Sequence, residues 1–235
     1  MNAIDIVVNF FKQGGAFLYP IAAVFAVGLA FAVERFIYLH RVARGNKRLW
    51  AELAPLIQAG DFRRAMQVAE KTDSALSTIM RYGMSRIATA NRREDVEKAM
   101  EESLIEVIPA LEKRTHYLAT LANVGMLMGL LGTVIGLINA FAAVAAVNPA
   151  EKAAMLSASI SVAMNNTALG LGLAITLLLC HMYLETKTTE LVDSLEVASI
   201  KFLNSISERR QAVPQPATAT AAARQAEQLL GAARA

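Results

Sequence analysis

Two apolar stretches, GLLGTVIGLINAF (129–141) and AMNNTALGLGLA (163–174), hold hydroxyls and amides but no carboxylate, histidine or cysteine. Thr133 in the first, and Asn165, Asn166 and Thr167 in the second, donate and accept hydrogen bonds without titrating. Inside a membrane such groups suit two tasks, bonding a neighbouring helix or lining an ion path. A buried amide calls for a partner at higher cost than a small hydroxyl, so Asn165 and Asn166 tilt the balance towards the ion path.

The glycines sort onto faces. At about 100° per residue, Gly125, Gly129, Gly132 and Gly136 fall within about 60° of one another, with Thr133 at the border. GxxxG spacing of this kind lets helix backbones approach closely where apolar attraction between helices is weak. In the later stretch Ala163, Thr167, Gly170 and Ala174 make one small-residue stripe. Ser157, Ser161, Asn165, Ala168, Gly172 and Thr176 make another on a different side. Two such faces leave little circumference for lipid, so this helix is expected to touch protein on one side and protein or a pore on the other. The expected packing glycines are Gly125, Gly129, Gly132, Gly136 and Gly170.

The elements that must carry these residues are read from the charge pattern. Three runs without Asp, Glu, Lys or Arg, 13–33, 115–150 and 153–184, each exceed the roughly 20 residues that cross a bilayer. The chain therefore reads as an all-α integral membrane protein with three transmembrane helices, two of them long and extending into a cytoplasmic helical domain. Expected segments are a first span at 13–39, a cytoplasmic helical region at 40–114, a second span at 115–148, a third at 153–185 and a helical extension at 186–210. Residues 1–12 suggest an interfacial helix on the outer surface or an extension of the first span, and 211–235 a flexible low-complexity tail. The first run lacks a basic leader and is read as an uncleaved anchor rather than a signal peptide. It carries Phe17, Leu18, Phe25, Leu29 and Phe31 without a small-residue stripe and is expected to face lipid.

Basic residues set the orientation. Arg41, Arg44, Lys47 and Arg48 follow the first run, Lys113 and Arg114 precede the second, and Lys187 and Lys201 follow the third. By the positive-inside rule these regions are cytoplasmic, with the N-terminus outside and the C-terminus inside. Within the 40–114 region, Leu49, Leu53, Leu56 and Ile57 share a helical face, Gly60 breaks it, and Asp61 is placed to cap the next helix. Val96, Met100, Leu104, Val107, Ile108 and Leu111 share another, on a helix expected to kink at Pro109 and run directly into the second span. Leu191, Leu195, Ala198, Phe202 and Ile206 form a last stripe, which needs a partner from this chain or a second copy.

Several function classes have no support. There is no nucleophile–base pair, no metal-ligand spacing and no phosphate-binding loop, which argues against an enzyme and implies no cofactor or metal. The single cysteine, Cys180, cannot form an intrachain disulfide. The net charge of +3 comes from basic residues interleaved with acidic ones, a solvated face near anionic lipid rather than a nucleic-acid site. His116 and His181 lie near the expected cytoplasmic ends of the second and third spans. Imidazole chemistry makes them candidates for admitting protons, although interfacial histidines more often have a structural role. Glu34 and Arg35 are expected to pair or snorkel.

The stretch LATLANVGMLMGLLGTVIGLINAF, followed about 25 residues later by TALGLGLAI, resembles the ExbB/TolQ family, related to the MotA stator proteins; the resemblance is good over residues 118–184. It implies a pentameric ring of three-span subunits in the bacterial inner membrane, enclosing the single-span helices of an ExbD/TolR-like partner. Proton flow, or sodium flow, would drive motion that energises envelope transport, envelope maintenance or motility. The family's lumen-lining threonines correspond to Thr133 and Thr167, and its ion-binding aspartate belongs to the partner. Many members carry a glutamate five residues before the second threonine, where this chain has Val162. The resemblance thus implies a relay resting on the partner, Thr133, Thr167, Asn165, Asn166 and water, or a ring shared with a glutamate-bearing paralogue. The alternative is a non-conducting membrane scaffold.

Overall fold

The computed structural model describes residues 16–87, 92–145 and 148–212. Among them every regular element is helical: α1 (Leu18–Ala59), α2 (Phe62–Glu70), α3 (Ala75–Ile87), α4 (Arg93–Glu112), α5 (Thr115–Ala145) and α6 (Pro149–Ala212). Stretches of α1, α5 and α6 are long and apolar enough to cross a membrane. This is a multi-pass membrane protein. The expected interfacial helix at 1–12 and nearly all of the expected tail lie outside the described residues.

The chain divides into two compact units, one made of the residues up to Lys47 with Ile105–Ser194, the other of Arg48–Leu104 with the residues from Leu195 onward. In the first unit Ile21, Ala32 and Leu39 of α1, Leu118 and Ala122 of α5, and Leu173, Ala174, Leu177, Leu184 and Leu191 of α6 form one buried cluster. The first helix is not left wholly to lipid. Leu18 is fully buried, Phe25 and Phe31 pack against the cluster, and Gly28 lies against Leu177. Only the other side of α1, with Tyr19, Val27, Leu29, Val33 and Ile37, is exposed. A single glycine sufficed to admit the leucine, so no stripe marked this contact beforehand.

The second unit is an ordinary apolar core. Phe202 is fully buried, stands edge-on to Phe62 at 6.2 Å, and lies with Met100 over Gly83, where a Cβ would clash with both. Burying a side chain of that size from water stabilises by about 1.5–3 kcal/mol. Leu195, Ala198, Phe202 and Ile206 are therefore covered by this chain itself, which answers the stripe's need for a partner. Local signals set the helix ends. Gly60 takes φ 70°, the left-handed conformation that closes α1, with Asp61 N–H bonding the Leu56 carbonyl at 2.9 Å. Asp61 then accepts from Arg64 N–H at 3.1 Å and caps α2. Ser77 Oγ, buried in α3, donates to the Ala69 carbonyl at 2.6 Å and ties α3 to the end of α2.

Three helix bounds differ from expectation. α1 continues unbroken past residue 39 to Ala59, and α6 begins at Pro149 rather than 153. Proline suits a first helical position, and Glu151 in the first turn suits the helix dipole. The third difference is a correction: α4 does not run directly into α5. The helix passes through Pro109 and stops at Glu112, and Arg114 adopts φ 68° before α5 starts at Thr115. The physical reason lies in α1. The Arg35 guanidinium donates to the Leu111 carbonyl, and Glu34 pairs with Arg114.

Candidate functional site in the seam between α5 and α6

The seam is built on missing side chains. A Cβ at Gly170 would stand 2.8 Å from the Cα of Gly129 and 2.9 Å from the Gly125 carbonyl oxygen. A Cβ at Gly136 would stand 2.8 Å from the Cβ of Ala163, and one at Gly132 would stand 3.1 Å from that of Asn166. Gly125 faces the end of the Leu173 side chain. Burial from water cannot drive this contact within a bilayer, because lipid tails are as apolar as leucine. Close van der Waals packing of backbones and hydrogen bonds across the seam take that place.

Close approach brings the two threonines together. Thr133 Oγ1 and Thr167 Oγ1 share a hydrogen bond across the seam. Thr133 also reaches the Gly129 carbonyl at 3.2 Å and the Ala163 carbonyl at 3.3 Å, while Thr167 reaches the same Gly129 carbonyl at 3.2 Å. Two hydroxyls carry two protons, and these oxygens offer more acceptor places than that. Either threonine serves as donor to the other while the second donates to a carbonyl, so the direction of the pair reverses by hydroxyl rotation.

Beside the pair, Asn166 is 3 % exposed and its amide rests on Gly132. Its Oδ1 accepts no hydrogen bond from the described residues. A buried amide oxygen left so costs about 1–3 kcal/mol. Asn165 points elsewhere. It is half-buried on the second stripe, whose Ser157, Ser161, Ala168, Gly172 and Thr176 are exposed, with no atom of the described residues within 4 Å of where a Gly172 Cβ would lie. The structure thus places Thr133, Thr167 and Asn166 in the seam and Asn165 outside it. Val162, half-buried, adds no charge.

Both candidate histidines lie away from the seam. His116 is exposed near the start of α5. His181 is half-buried, its Nδ1 3.6 Å from Glu185 Oε2. They belong to a level rich in aromatic rings: Phe36 lies 4.2 Å from His40 and 6.0 Å from Tyr183, and Phe31 lies 6.2 Å from Tyr117. Lys187 Nζ sits 6.0 Å from the Tyr183 ring, and its hydrogen bond to Glu190 at 2.6 Å holds the ammonium above the ordinary lysine range. Rings with one polar edge gather at a membrane–water boundary in this way.

Sequence reasoning passed over two features. Asn123 and Asn139 are exposed amides within α5, and an amide in an apolar run was their signal. The hold of Glu34 and Arg35 on the end of α4 had no signal beyond their charge.

The MotA/TolQ/ExbB proton channel family matches residues 71–197, which include both threonines and the whole seam. A protein of Methanothermobacter thermautotrophicus described as a biopolymer transport protein ExbB homolog is 30 % identical over 198 residues, covering 84 % of this chain and 69 % of that protein. With that match and that coverage, the chain belongs to the MotA/TolQ/ExbB proton channel family.

Proposed function

We propose that this chain is the wall subunit of an ion-driven motor in a bacterial inner membrane, with its N-terminus periplasmic and its C-terminus cytoplasmic. Five copies surround the single-span helices of an ExbD/TolR-like partner, protons (or sodium ions) cross beside those helices, and the partner carries the work outward. The observation that carries the reading is the polar cluster of Thr133, Thr167 and Asn166 in two spans that hold no Asp or Glu between 115 and 150 or between 153 and 184. Hydroxyls and an amide conduct a hydrogen-bond direction but retain no proton, so the titrating carboxylate must come from another chain. The exposed stripe from Ser157 to Thr176 supports a protein or water neighbour, since lipid satisfies no polar group. The word "transport" in the relative's description favours envelope transport among the processes such motors energise.

The test is assembly. Purified in mild detergent with a candidate partner, this chain should form a ring with more copies of itself than of the partner, by native mass spectrometry. A stable monomer that ignores every single-span candidate would overturn the proposal.

A second reading, a non-conducting scaffold, draws on one observation. Both threonine hydroxyls are satisfied by each other and by backbone carbonyls, as packing alone would require.

A further inference from the structure

The segment between α4 and α5 is where local sequence and observed backbone disagree. Leu111, Glu112, Lys113 and Arg114 are all good helix formers, and neither glycine nor asparagine stands among them. Lys113 N–H still makes a helical bond to the Pro109 carbonyl at 3.0 Å. One residue later Arg114 lies at φ 68°, a conformation that residues with a Cβ leave unless their surroundings hold them there.

Two consecutive residues of α1 are those surroundings. Arg35, 3 % exposed, donates to the Leu111 carbonyl, one of the four that the end of a helix leaves without an intrahelical partner. Its guanidinium also stacks 4.8 Å from the Tyr38 ring, which fixes its direction. Glu34 pairs with the guanidinium of the left-handed residue itself. A continuous helix would instead give the Leu111 carbonyl to the Thr115 N–H. That carbonyl has two lone pairs, so the Arg35 bond satisfies it while the left-handed turn at Arg114 interrupts the helix. Thr115 is buried, and its Oγ1 has no partner among the described residues.

We propose that Lys113 and Arg114 form a two-state joint, held broken by the Glu34–Arg35 latch. When the latch is made, α4 and α5 are two rods. When it is released, the residues from Arg93 to Ala145 close into one helix. A broken joint absorbs a rotation or shift of α5, whereas a closed one passes it into α4. A displacement of α1 by the length of a hydrogen bond is enough to choose between them.

The test uses the full chain with Cys180→Ser, reconstituted in nanodiscs, with spin labels at Glu106→Cys on α4 and Leu127→Cys on α5, both exposed positions. Pulsed electron resonance reads the distance between them. Glu34→Gln and Arg35→Leu should each raise the population of the longer, straight-helix distance about fivefold or more, the factor expected when a left-handed non-glycine residue loses its support. Adding Arg114→Gly to Glu34→Gln should restore the shorter distance, because glycine takes this conformation freely. An unchanged distance distribution in folded Glu34→Gln and Arg35→Leu proteins would overturn the proposal. If those variants fail to fold, the exchange Glu34→Arg with Arg114→Glu decides: a folded protein at the shorter distance upholds the latch, and failure to fold or a longer distance refutes it.

Discussion

Thr133 and Thr167 meet across the seam between α5 and α6, bonded to each other and both within reach of one acceptor, the Gly129 carbonyl. Their meeting depends on Gly129 and Gly170, whose Cα atoms come so close that neither position has room for a methyl group. Packing and polar chemistry therefore share the same few residues, and experiments must separate them.

The hydroxyls are the first place to do so. Thr133→Val and Thr167→Val each remove a donor from a half-buried site, and the pair should show a coupling of about 0.6 kcal/mol, and no more than about 1.7, in a double-mutant cycle, as such bonds between membrane helices do. Thr133→Ser, which keeps the hydroxyl, should recover most of the lost activity. If both valine variants assemble normally and still transport ions at the native rate, the hydroxyls serve packing alone.

Asn166 offers a cleaner separation. Asn166→Leu keeps the branching at Cγ and nearly the volume, and it removes an oxygen that no group among the described residues satisfies. Thermal stability of the detergent-solubilised chain should stay the same or rise by about 1–3 kcal/mol. Ion flux should fall at least tenfold. Stability lost together with flux would assign the amide to the fold instead.

The glycines divide by face. Gly170→Ala must push the Gly129 backbone away, at a cost of about 1–3 kcal/mol for overpacking, measurable as a loss of helix-pair stability in lipid. Gly172→Ala meets no atom of the described residues and should leave the isolated subunit unchanged. If Gly172→Ala nevertheless dissociates the assembled complex, the face bearing Ser161, Gly172 and Thr176 is packed against another helix there.

Much of this arrangement was legible beforehand, for identifiable reasons. Charge-free runs announce spans, and the 3.6-residue period put Gly125, Gly129 and Gly132 on the face that is indeed buried. Gly60 and Asp61 act at short range, so their turn and cap could be read directly. The packing of α1 could not, since Gly28 alone receives Leu177 and a lone glycine makes no pattern. The break at Arg114 was hidden for a deeper reason. Its own neighbours favour helix, and the groups that oppose them, Glu34 and Arg35, lie about 80 residues away in sequence. The site was legible in part: periodicity set Asn165 and Asn166 a single step apart, and only packing assigned one to the seam and the other to the open stripe.

The central claim is that this chain supplies the wall of an ion path and another chain supplies the carboxylate. Proton flux into liposomes tests it most directly, with this chain reconstituted alone, with its single-span partner, and with the partner's membrane aspartate changed to asparagine. The account predicts flux only in the second case, lost again with the asparagine. Flux from this chain alone, or no proton or sodium flux from a correctly assembled complex, would contradict it.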